Sequence, residues 1–169
     1  MTNRNTPSVK DPTVALVDRI DPPLYVVTVR SKAGCVSGCL AGFVTQSSIS
    51  PPRFLVCVSK AYHTSVVAET SQCMALHLLG VEQLALASLF GGQTGDSVDK
   101  FSRCSWRPGT TGAPVLAECA AWVEGTIMGR FGAGDHDAYL LRPEGGGSGT
   151  CEGILSSHDV VDLEPGHPA

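Results

Sequence analysis

Short apolar runs, punctuated by glycine, proline and hydroxyl residues, set the character of this chain. PLYVVTVR (residues 23–30) is dense in β-branched and aromatic side chains and predicts a strand, with SKAG as the turn that follows. CVSGCLAGFVTQSSI reads as a second strand, in which Gly38 and Gly42 permit bends or close backbone approach. Pro51-Pro52 stops it, because proline cannot donate to a ladder. RFLVCVSK (residues 53–60) is a third strand, HTSVVAET a short helix and CMALHLLG a fourth strand.

The period changes in VEQLALASLFGG, where Leu84, Ala87 and Leu86, Phe90 recur at helical spacing and Gly91-Gly92 ends the helix. SVDKF predicts a further helical turn. VLAECAAWVEGTIMGRF (residues 115–131) reads as one long strand or a pair of strands. GAGD around Gly134 is a hairpin turn, and HDAYLLRPE resumes the sheet. EGGGSG (residues 144–149) reads as a flexible link into a last element around GILSSHDVVDL. Six or seven strands against two or three short helices predict a closed or nearly closed antiparallel barrel with helical insertions.

Composition narrows the class. At 169 residues the chain fits one domain with a sizeable core. A net charge of -4 gives no electrostatic footprint for nucleic acid or an anionic membrane. The polar start MTNRNTPSVKDP lacks the apolar core of a signal peptide, and LALASLF is too short to cross a bilayer. The expectation is a cytoplasmic protein. Cys57, Cys73 and Cys119 sit in apolar runs and read as small hydrophobes in a reducing compartment. Cys35 and Cys39 lack a second Cys/His pair, which argues against zinc.

Three polar features carry candidate chemistry. Thr45, Gln46, Ser47, Ser48 and Ser50 precede Pro51-Pro52; they read equally as a surface turn bonding its own backbone or as a strand end that binds oxygen-rich groups. Lys60, Thr64 and Ser65 join a cation to hydroxyls where a short helix begins. That combination suits a phosphate, although a solvated lysine and an ordinary helix cap would look the same. In GDHD (residues 134–137), Asp135 could fix the His136 imidazole or cap the turn. His63, His77 and His158 have no metal-ligand partners at telling spacings, and no G-x-S-x-G, Walker or dinucleotide fingerprint is present.

In this order, the features resemble the flavin reductase-like, FMN-binding split-barrel family. The matching pieces are T-x-S-S…S-x-PP (residues 45–52), SKAYHT (59–64), LASLFGGQTGDSVDKF (86–101), GAPVL (112–116) and GDH (134–136). The resemblance implies a mainly β, six-stranded antiparallel split barrel with Greek-key connections over residues 20–162. Residues 1–19 would then be a polar leader and residues 163–169 a tail. It further implies a homodimer, with FMN or FAD as flavin and NADH or NADPH as hydride source, supplying reduced flavin to a partner monooxygenase. A flavin carrier without turnover is the alternative.

Carried over residue by residue, Thr45, Gln46, Ser47 and Ser48 would line the isoalloxazine and ribityl chain. Ser59, Lys60, His63 and Thr64 would hold the phosphate, Lys100 and Phe101 would lie near the cofactor, and His136 would sit beside the nicotinamide. Hydride would pass to flavin N5, and backbone N–H groups would stabilise charge at the N1–C2=O edge. After GDH the family usually continues through a glycine-containing strand, where this chain has DAYLLRPEGGGSG.

Overall fold

The computed structural model describes residues 12–166; the expected leader up to residue 11 and the tail from 167 lie outside them. A short helix, α1 (Pro12–Val17), comes first. The strands are β1 (Tyr25–Ser31), β2 (Val36–Ala41), β3 (Val44–Ser48), β4 (Arg53–Ser59) and β5 (Ser71–Leu78), followed by β6 (Trp106–Pro108), β7 (Pro114–Leu116), β8 (Ala121–Gly132) and β9 (His136–Ser148). Two further helices are α2 (His63–Glu69), between β4 and β5, and α3 (Leu84–Gly91), which follows β5.

Seven strands form one antiparallel sheet in the order β2-β1-β5-β8-β9-β4-β3, and β6 pairs with β7 in a separate ribbon. The two edge strands, β2 and β3, are consecutive in sequence and separated only by Gly42 and Phe43. The sheet therefore curls until its edges meet, and the chain closes the seam where hydrogen bonds do not. That is a split barrel. The β4–α2–β5 connection joins strands separated in the sheet by β9 and β8, in Greek-key fashion, and α2 packs against β1 and β2 on its way.

Two expectations are corrected by the pairing. The main sheet has seven strands and not six, because CVSGCLAGFVTQSSI breaks at Gly42-Phe43 into β2 and β3. Residues 144–148 are no flexible link; β9 runs on through them, with residues 145–148 pairing with Ala121–Glu124 of β8. The strand after GDH thus contains glycines, at positions 145–147 beyond Pro143. Of the two readings open for residues 115–131, the fold adopts the pair of strands, β7 and β8.

The interior is filled by Val27, Val29, Val56, Val58, Met74, Leu76, Tyr139 and Leu141. A second cluster sets Phe90 of α3 and Phe101 against Leu24, Val26, Leu79 and Leu116. Gly38 makes this packing possible: a Cβ there would stand 2.9 Å from both the Phe90 ring and the Val27 carbonyl oxygen. Cys73 and Cys119 are buried as expected while Cys57 is half-buried, and burial pushes the Cys119 thiol up to about 11. The GAGD hairpin turn is confirmed, with Gly134 at φ +87, a conformation L side chains avoid.

Two buried polar groups bind distant segments together. Glu124 on β8 accepts from Thr110 N (2.9 Å) and Oγ1 (3.0 Å), and from Thr111 N (2.9 Å) and Oγ1 (2.6 Å). Burial pushes its carboxyl pKa up, but these four hydrogen bonds outweigh that and hold it below the ordinary value. His77 on β5 lies between Val26 O (2.9 Å from Nδ1) and Leu116 N (3.0 Å from Nε2). The Leu116 N–H must donate, so Nε2 is bare and Nδ1 carries the proton.

Burial lowers the His77 pKa to about 4. A depressed imidazole pKa means that the unfolded chain takes up the proton first. Its stabilisation is complete above pH ~6.5 and is lost progressively as pH falls toward 4. Over that window His77 contributes about 1.4 kcal/mol per pH unit to the pH dependence of unfolding. Denaturant titrations at several pH values should show a slope smaller by that amount in His77→Leu. An unchanged slope would mean that His77 titrates normally in the fold.

Candidate functional site

Two hollows lie at opposite ends of β2, a strand about 20 Å long at about 3.3 Å per residue. The first, about 130 Å³, is lined by residues 39–43 and 57–59 with Tyr62 and His136. The second, about 350 Å³, is lined by residues 36–38, His63 and residues 95–101. Tyr62 and His63 are consecutive, so the start of α2 stands between the two.

His136 opens β9, directly after the hairpin turn. Its Nδ1 lies 2.8 Å from Asp135 Oδ1, and its ring centroid is 5.2 Å from that of Phe43. The hydrogen bond from His136 holds the Asp135 carboxyl below the usual carboxylate range. An ionised carboxylate can only accept, so the Nδ1 proton points at Asp135 and Nε2 is left for another partner. Of the two roles open to Asp135, fixing the imidazole is the one observed. Ser59, buried at the end of β4, borders the same hollow, and its hydroxyl accepts from Ala61 N at 3.3 Å.

The second hollow is polar and has a cation at its floor. Lys100 is 5% exposed and donates from Nζ to Gly38 O (3.2 Å) and Phe90 O (3.0 Å), with Nζ 5.6 Å from the Phe90 ring centroid. Desolvation by burial lowers its pKa. Phe101 is buried edge-on against Phe90 and Trp106. His63 Nδ1 lies 3.1 Å from Ser37 Oγ, which also lies 3.0 Å from Thr64 Oγ1. Thr64 is buried, so its hydroxyl serves this network and not the surface.

The remaining expected residues divide. Lys60 is exposed and stapled to the hairpin, donating to Gly134 O at 2.7 Å with Asp137 Oδ1 at 3.7 Å. Thr45, Gln46 and Ser47 are exposed on the edge strand β3, and Thr45 borders the apolar cavity beside α1. Gln46 Nε2 donates to Ser48 O (3.1 Å) and Ser48 Oγ to Pro51 O (2.6 Å). These two make the local backbone bonds of a turn. Sequence reading missed Ser37, Phe43, Tyr62 and the 95–99 loop. Tyr62 and Phe43 are aromatic residues at the edges of the polar clusters, a signal that was available; Ser37 gave none.

A β barrel split at its seam, with an imidazole hollow at one end of the seam strand and a lysine-floored hollow at the other, defines a small-molecule-binding split-barrel domain. The chain matches the flavin reductase like domain over residues 17–153 and belongs to that family. It is 30% identical over 143 residues to the FMN reductase (NADH) RutF 1 of Methylorubrum extorquens, covering 83% of this chain and 70% of that protein. It is also 30% identical over 117 residues to the stachydrine N-demethylase reductase subunit Stc3 of Rhizobium meliloti, covering 69% of this chain and 50% of that protein. Among solved structures, the NADH:FAD oxidoreductase of Streptomyces globisporus, in complex with NAD and FAD fragments, superposes with a TM-score of 0.71 at 26% identity; 86% of this chain and 88% of that one are covered. Among the described residues no helix is long and apolar enough to cross a membrane.

Proposed function

We propose that this chain is an NAD(P)H-dependent flavin reductase that uses FMN, with FAD as a second flavin, and supplies reduced flavin to a partner monooxygenase in the cytoplasm. The observation that carries this reading is the family match over residues 17–153, the span that builds the barrel and both hollows. A relative that is an FMN reductase (NADH) supports the flavin and the nicotinamide. A relative that is the reductase subunit of a demethylase supports an oxygenase partner. Leu16, Val17, Ile20 and Ile49 are exposed apolar residues, two of them bordering an apolar cavity of about 600 Å³, and that face supports a homodimer.

Flavin, when bound, supplies a ring that accepts hydride at N5 from the nicotinamide. The work of the chain is positioning. His136, held by Asp135, presents Nε2 and a flat face at the rim of the first hollow, where it orients the nicotinamide. Tyr62 and the 45–48 segment border the ring and ribityl chain. Ser59, Lys60 and the His63–Ser37–Thr64 network supply the cationic and polar surroundings of the phosphate, and Lys100 and Phe101 lie near the cofactor. No carboxylate acid is required for hydride transfer, and Asp135 acts through His136.

The reading is tested by following NADH and NADPH oxidation with FMN, FAD and riboflavin. Oxidation above the protein-free rate supports it; bound FMN without oxidation would favour the carrier. Phosphate contacts make a separate forecast. Lys60→Ala should weaken FMN about tenfold, as expected for loss of one charge-assisted contact, and leave riboflavin nearly unchanged in equilibrium titrations. Equal loss for both would remove Lys60 from the phosphate.

A further inference from the structure

Phe43 is the largest side chain in the wall between two cavities. The His136 hollow of about 130 Å³ and the apolar cavity of about 600 Å³ beside α1 share Gly42, Phe43 and Cys57. Small-molecule pockets usually measure about 300–1,000 Å³, so the hollow that holds the imidazole is too small by itself for a three-ring ligand. The larger cavity has the room, but His136 is not among its lining residues. Neither half is a complete site.

Phe43 stands where they meet, in the seam between β2 and β3. Its backbone is pinned, since its carbonyl accepts from Cys57 N at 2.9 Å and Val44 begins β3. The residue is 61% exposed. The contact that restrains it on the hollow side is the tilted one with His136, 5.2 Å between centroids at 55°. His136 is itself held by Asp135 at 2.8 Å. Of the two rings, Phe43 is therefore the one free to swing, and rotamer changes of exposed side chains are fast.

We propose that Phe43 is a gate on the ring site, a proposal that rests on the flavin reading. With the phenyl ring against His136, the two cavities are partitioned. When it rotates away they merge into one cleft that runs from the apolar cavity to Tyr62, with His136 at its rim. Phe43 thereby sets how fast a planar aromatic ligand enters, and its rotation brings the apolar half and the imidazole half into one site. An aromatic pair is worth about 0.5–1.5 kcal/mol, so removing the phenyl ring should raise the open population, and with it the association rate, about two- to tenfold.

Stopped-flow FMN fluorescence with the full chain tests this. Phe43→Ala should bind FMN with an association rate constant about two- to tenfold above wild type, while Phe43→Tyr, which keeps the ring, should stay near wild type. Phe43 is exposed, so both variants should melt as the wild type does. FMN binding with an unchanged association rate in Phe43→Ala, or a change confined to dissociation, overturns the gate and leaves the flavin reading standing. Wild type that binds no FMN removes both.

Discussion

His136→Ala is expected to lower kcat/KM for the reduced nicotinamide about 100-fold, the scale on which a misplaced reactant slows a reaction that depends on alignment. FMN affinity should not fall, because the imidazole meets the site at its rim and through Asp135, not through the lysine-floored hollow, and losing its ring pair with Phe43 can only ease flavin entry. Steady-state kinetics with varied nicotinamide, paired with an FMN titration, separates the two effects. Asp135→Asn should reproduce part of the loss, since an amide still accepts from Nδ1 but holds it less firmly. An FMN dissociation constant that rises in step with the kinetic loss would make His136 a flavin contact.

The second large effect is on the fold. Glu124→Ala should destabilise the protein by about 4 kcal/mol, because it leaves two backbone N–H groups and two hydroxyls of Thr110 and Thr111 facing an empty space. For a chain of this size that corresponds to about 10 °C in Tm. Glu124→Gln should cost about half as much, since one oxygen survives and the new amide donor faces other donors. Calorimetry on both variants checks it. A loss below about 1 kcal/mol in Glu124→Ala would mean that water replaces the carboxylate.

The surroundings of Glu124 also explain a misreading of the sequence. Polar linkers and glycine-rich strands look alike when read locally, and EGGGSG has too few side chains to show periodicity. Its strand character comes from pairing with Ala121–Glu124 of β8, on the far side of the GAGD turn. Gly145 is small for a reason visible only in three dimensions: a Cβ there would stand 3.3 Å from Glu124 Oε1. The break at Gly42-Phe43 was hidden similarly, since every residue of that run is compatible with one strand. Only the pairing of β3 with β4, on the opposite edge of the sheet, divides it.

Other parts were plain. FLVCV, the Pro51-Pro52 stop, the 84–91 helix and the GAGD turn are local signals with local causes, and the fold keeps them all. The site was legible in part. Asp135 beside His136 is a sequence neighbour, and the bond between them followed. Whether a hydroxyl faces a ligand or its own backbone depends on tertiary placement, so nothing in VTQSS showed that Gln46 and Ser48 are occupied locally. Ser37, which links His63 to Thr64 across 26 and 27 residues, is beyond any local pattern.

The claim on which the functional reading turns is that the β2 seam holds a flavin. Titrating FMN with the purified protein, read as flavin fluorescence, tests it most directly. A saturable change that reaches its limit at one FMN per chain is the expected result. FMN fluorescence unaffected at any protein concentration would contradict it.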